Sequence, residues 1–134
     1  MDQDEIIQYI SQTFEGVTIA SPDEGIAAGD TFFTYDERKL PFATIVTKDY
    51  GDFDCASNLN REGVFRFNVG VSKQTFTSLF PETQDVDYAA LDQLLPHPVY
   101  APQSWVCVLN PSQETFERLR PLLAEAYAIT LNRH

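Results

Sequence analysis

The sequence predicts an α+β domain, with helices packed on one face of a mainly antiparallel sheet, and three observations lead there. Residues 64–71, VFRFNVGV, alternate strictly, so Phe65, Phe67, Val69 and Val71 share one face and Val64, Arg66, Asn68 and Gly70 the other. TFFTY at 31–35 and FATIVT at 42–47 flank the turn-like DERKLP, the pattern of a hairpin. The element order, α-β-β-β-β-α-α-β-α, has too few helical crossovers for a doubly wound parallel sheet.

Each element has a local cause. Residues 2–14 make a first helix, with Asp2 and Glu5 at capping-box spacing and Ile6, Ile7, Ile10 and Phe14 along one stripe. Gly16 ends it, VTIAS at 17–21 reads as a short strand, and SPDEGIAAGD at 21–30 as a loop. Residues 48–62 are polar and mixed, a long loop or an irregular edge strand. Ser72 caps a short helix, KQTFTSLF, that Pro81 stops. A second short helix is expected at 88–95 (YAALDQLL), with Asp87 as its cap. SWVCVL at 104–109 is the last strand, and Asn110 and Pro111 are expected to start the closing helix. That helix carries Phe116, Leu119, Leu123, Ala126 and Tyr127 on one face, and Pro121 should kink it or split it at Arg120. With no internal repeat, linker or low-complexity segment, residues 1–134 form a single α+β domain.

Composition narrows the function classes. The chain is long enough to bury roughly two-thirds of its unfolded surface without a disulfide or metal. No run approaches the length of a bilayer span, and the acidic start, MDQDEII, lacks the bases of a targeting peptide, so a cytoplasmic protein is expected. Cys55 and Cys107 read as reduced thiols, Cys107 as a small core hydrophobe. The net charge is −11: residues 1–37 hold nine acids and no base, and residues 38–73 hold six bases against four acids. So acidic a chain repels a phosphate backbone, and nucleic acid and anionic membranes are disfavoured as partners.

Few residues offer chemistry. His97, stiffened between two prolines in PHP, is the side chain best suited to proton transfer. It reads first, though, as a loop histidine that bonds to backbone and organises the approach to the last strand. His134 is terminal, and nothing in the spacing of His97, Cys55 and Cys107 supports a zinc site. DYGDFD at 49–54 lacks the order of a calcium loop and reads as a solvated loop. Ser72 and Ser104 lack a nucleophile-elbow context. No metal or cofactor is expected. The candidate ligand-binding constellation is the sheet face opposite the helices, where Arg66 and Asn68 lie side by side and His97, Tyr100 and Trp105 cluster in sequence nearby. A guanidinium, an amide and aromatic edges can together hold an anionic or planar ligand. The alternative is a surface ion pair at Arg66 and a core position for Trp105.

TFFTY 31–35, FATIVT 42–47, VFRFNVGV 64–71, the short helix ending TFTSLF, SWVCVL 104–109 and EAY 125–127 follow one another as in the MmcQ/YjbR-like proteins, which this chain resembles over nearly its whole length. The strings RKLPFATIV and LPHPVYAPQSWVCVLNPSQETFERLRPLL are similar to those of a group of bacterial single-domain proteins with no assigned activity. The resemblance implies a frataxin/CyaY-like fold and, for the wider group, DNA binding; a frataxin-like iron ridge would have only Asp2, Asp4 and Glu5 in the first helix. The residues favour a non-enzymatic binding module for a small ligand, anionic or planar, or for a protein partner. The alternative is an enzyme using His97 as general base near Arg66, in which a closed pocket would join the two.

Overall fold

The computed structural model describes residues 1–36, 40–82 and 85–132. Arg38 and Lys39 of the DERKLP segment, and His134, lie outside the described residues. The elements run α1 (Gln3–Thr13), β1 (Val17–Ala20), β2 (Thr31–Tyr35), β3 (Ala43–Val46), β4 (Arg66–Gly70), α2 (Lys73–Leu79), β5 (Leu95–Pro96), a 3-10 turn (Ala101–Gln103), β6 (Trp105–Leu109) and α3 (Gln113–Leu131). The six strands form one antiparallel sheet in the order β1-β2-β3-β4-β6-β5. This is the α+β class the sequence predicts.

The alternation of β4 sets the two layers. Phe65, Phe67, Val69 and Val71 are buried on one face with Ile45, Val106 and Val108. Ile6 and Ile10 of α1 and Phe116, Leu119, Leu123 and Ala126 of α3 cover them. The opposite face carries Arg66, Asn68 and Gly70, and the register places Leu109, Cys107 and Trp105 beside them. That second face is not open. The 48–62 and 85–97 segments fold over it, and Leu59, Leu95, Cys107, Leu109 and Val46 make a second apolar cluster there. Cys107 is buried and free, and burial pushes its thiol up to about 12; Cys55 is free and exposed.

The helix starts are local chemistry. Asp2 accepts from the Glu5 amide at 2.8 Å and Glu5 accepts from the Asp2 amide at 3.0 Å, completing the capping box. Ser72 caps α2 through the Thr75 amide.

Three expectations need correction. No helix forms at 88–95; Leu95–Pro96 pairs with β6 and Leu91 bridges Leu109 instead. Asp87 accepts from the Ala89 amide in a turn, Arg61 takes the Ala89 carbonyl, and Asp92 stands at φ 56°. Eight residues without tertiary support nucleate a helix poorly, and sheet pairing wins. The closing helix starts at Gln113, not at Pro111: Ser112 is its cap, accepting from the Thr115 amide. Asn110 is held at φ 45° because its side chain accepts from the Phe65 amide and donates to the Gly63 carbonyl. Pro121 does not split α3, which runs unbroken for 19 residues. Trp105 is largely buried, as a strand residue followed by the interior Val106 and Cys107 should be.

Gly70 is needed where it stands, because the Trp105 indole lies over it and a Cβ there would meet Trp105 Cε2 at 2.9 Å. Gly70→Ala should therefore destabilise by about 1–3 kcal/mol, the usual cost of overpacking. It should also push the indole toward water. The chain has one tryptophan, so a red-shifted emission maximum in the folded variant checks this directly. An unchanged spectrum would place the indole elsewhere.

Candidate functional site

The five candidate residues divide into a sealed centre and an exposed rim. Arg66, in β4, is only 1% exposed. It points away from the helices, as the alternation requires, and into the polar inner surface of the folded-over loops. Its Nη1 and Nη2 donate to the two oxygens of Asp54 at 2.9 and 2.6 Å, a bidentate ion pair. Nη1 also donates to Ser57 Oγ at 3.0 Å and Nε to Asn68 Oδ1 at 2.9 Å. Asn68 Nδ2 passes the chain on to Thr44 Oγ1 of β3 at 2.9 Å. Arg66 is thus neither solvent-facing nor a surface ion pair.

Asp54 was expected to be solvated within DYGDFD; it is buried instead, for a local reason. Tyr50 and Asp54 form an isolated bridge, with the Tyr50 amide donating to the Asp54 carbonyl at 2.9 Å. Gly51, at φ 57°, lets the chain reverse between them. The turn is tied down a second time where Tyr50 OH donates to Asp30, which is fully buried and also accepts from the Thr47 amide at 2.8 Å and from Lys48 Nζ at 3.4 Å. Burial, with Asp30 beside it, raises the Tyr50 phenol above its ordinary range.

His97 is 2% exposed. Its Nδ1 accepts from the Val99 and Tyr100 amides at 3.0 and 2.9 Å, so the neutral ring carries its proton on Nε2. Nε2 lies 3.3 Å from Arg66 Nη2, one N–H group against another. Donors therefore face both nitrogens. Burial first, then the Arg66 charge, push the His97 pKa down to about 3, against a smaller opposing pull from Asp54. As placed, His97 is a structural acceptor that turns the chain after β5, with its own amide donating to the Trp105 carbonyl at 3.0 Å. The closed junction of His97 and Arg66 exists, but it is filled by protein.

Tyr100 and Phe53 form the rim. Tyr100 is 44% exposed and packs its ring on His97 at 5.1 Å between centroids. Phe53, next to Asp54, is 65% exposed and meets Tyr100 edge-on at 6.2 Å. Trp105 follows at the end of the same turn, its amide donating to the Tyr100 carbonyl at 3.2 Å. Sequence reasoning did not single out Asp54, Ser57, Thr44 or Phe53. The one signal for Asp54 was the alternation itself: a guanidinium forced off the helix face and then covered needs a carboxylate. Among the described residues no three His, Cys, Asp or Glu side chains are grouped to hold a metal ion.

The fold and site define a small α+β domain whose polar centre is locked by an ion pair beneath an exposed aromatic rim. The chain belongs to a family of unknown function, DUF6194, whose model matches residues 1–134. No curated protein and no solved structure matches it.

Removing one partner of the pair leaves the other charged and buried. Arg66→Ala or Asp54→Ala should each cost about 3–5 kcal/mol in urea unfolding, while Arg66→Met with Asp54→Leu should cost less than either alone. Additive losses would show the pair to be uncoupled.

His97 gives a pH dependence. Its folded pKa, about 3, lies below the unfolded value, about 6.5, so its contribution is full above pH 6.5 and is lost as pH falls from there toward 3. The slope from this one group is about 1.4 kcal/mol per pH unit. Wild-type stability minus that of His97→Gln, measured across pH 4–8, should carry this slope; a flat difference would remove the argument.

Proposed function

We propose that this protein is a non-enzymatic binding module that holds a small planar ligand against the Phe53–Tyr100 rim. The observation that carries this reading is the pair itself: two exposed aromatic rings in edge contact, with Tyr100 packed in turn on the buried His97 ring. Exposed aromatics held rigid make contact area at little entropic cost. Phe53 is held through Asp54 and Arg66, and Tyr100 through His97 and the 3-10 turn.

The same geometry revises the ligand chemistry. Asp54 matches the charge of Arg66, so the cluster offers no net positive field to an anion. Aromatic faces and edges select for flat, weakly charged molecules instead. General-base catalysis by His97 is poorly supported, since Nδ1 is taken by two amides and the ring resists protonation. Nucleic acid is disfavoured beyond the net charge: Lys48 and Arg66 are paired with Asp30 and Asp54, and Arg61 is bound to the carbonyls of Ser57, Asn58 and Ala89. Kinship with the MmcQ/YjbR-like proteins rests on the motifs quoted above. No described helix is long and apolar enough to cross a membrane.

The test is a metabolite screen read by the emission of the one tryptophan, Trp105, next to the rim. Planar compounds should shift it saturably, and Phe53→Ser or Tyr100→Ser should weaken binding at least about tenfold while moving the melting temperature by only a few degrees. Ligands that bind both variants as well as wild type would overturn the assignment. A screened compound consumed catalytically, and no longer consumed by His97→Gln, would replace it with the enzyme reading.

A further inference from the structure

The two edges of the sheet are built differently. β5 is two residues long and contains Pro96, which has no N–H to offer, so that edge is blunted. β1, at the other edge, is four residues, VTIA, with neither proline nor charge. Natural edges of this kind are usually protected by a lysine, a proline or a bulge. β1 has none of the first two, and its register with β2 is continuous from Val17↔Tyr35 to Ala20↔Phe32.

The register also shows which groups face outward. The Asp36 amide donates to the Gly16 carbonyl at 2.8 Å, so Gly16 and Asp36 are a hydrogen-bonded pair. Antiparallel pairs alternate, so Thr18↔Thr34 and Ala20↔Phe32 are also bonded, while Val17 and Ile19 turn their N–H and C=O groups away from β2. No described strand lies beyond them. Their side chains pack partly against the helix-face core, so a strand added there would extend that apolar layer.

Charge selects the occupant. The described residues flanking β1, from 1 to 36, include no Lys or Arg. Exposed Glu15 and Asp36 stand at one end of the strand and exposed Asp23 and Glu24 follow the other. Lys48, which reaches this region, is bound to the Ala28 carbonyl and Asp30. A second copy pairing antiparallel through β1 would bring Glu15 and Asp36 of one chain against Asp23 and Glu24 of the other, and like charges oppose it.

We propose that the outer edge of β1 accepts an extended, basic segment of a partner protein as a seventh strand, its main chain bonded to Val17 and Ile19 and its Lys or Arg side chains set among the flanking acids. This is β-strand addition, in which backbone bonds give affinity and flanking side chains give selectivity. It is independent of the aromatic rim.

The experiment uses the full chain and three labelled short peptides: one alternating Lys with Val, its Glu-for-Lys counterpart, and the Lys peptide with its central amides N-methylated. The Lys peptide should bind saturably in fluorescence polarisation, the Glu peptide should not, and N-methylation should abolish binding while leaving the charge unchanged. In amide exchange, the Val17 and Ile19 protons should be slowed by the Lys peptide. Equal binding of the N-methylated peptide would show charge attraction without strand addition and overturn the proposal. So would absence of binding, unchanged exchange at Val17 and Ile19, or a concentration-dependent dimer in sedimentation that the Lys peptide cannot dissociate.

Discussion

A buried guanidinium must be answered by a carboxylate, and the second face of this protein is organised around that need. Taking an ion such as Arg66 out of water costs several kcal/mol, and a bidentate partner with further hydrogen bonds is what makes the position tolerable. The alternation of β4 leaves no other option, since Arg66 cannot share the side occupied by Phe65 and Phe67. Asp54 and Ser57 come from the 48–62 loop, Asn68 from β4 itself, and Thr44 from β3. One side chain thereby fixes a loop and two strands. The apolar groups Leu59, Leu95 and Leu109 can then close around it.

The economy of charge has a second side. Lys48, Arg61 and Arg66 spend their positive groups on internal carboxylates and carbonyls. Arg120 pairs with Glu117 and lies over the Tyr9 ring at 4.8 Å. With these bases engaged, the net charge of −11 gives the protein a negative field. A field of that sign sorts encounter partners before any contact is made.

Patterns that are local proved legible. The capping box at Asp2 and Glu5, the strand TFFTY and the two faces of VFRFNVGV depend on neighbours in sequence, and all three stand as read. What failed was decided at a distance. Asn110 looks like a helix cap until its side chain is found tying down Gly63 and Phe65, more than forty residues earlier. YAALDQLL has good helix formers, but Leu95 and Pro96 find partners in β6 and Leu91 in Leu109. At the site, Arg66, Asn68 and His97 do converge, yet nothing in DYGDFD announces that Asp54 folds back to cover them. Whether a polar strand face is open or roofed depends on where a loop lands, and alternation carries no record of that.

The strand order has a consequence for synthesis. β6 is inserted between β4 and β5, yet it is made after both, and α3 after that. Until residues 105–131 leave the ribosome, β4 has a bare edge, β5 has no neighbour, and Phe67 and Val69 lack the α3 residues that cover them. Asp54 precedes Arg66, so the ion pair can assemble within the first half of the chain, but it does so on an unfinished sheet. The nascent protein is therefore sticky on one side and locked on the other. Apolar surface and an unpaired strand edge left open in the interval before residues 105–131 emerge are the features that make a nascent chain prone to aggregate.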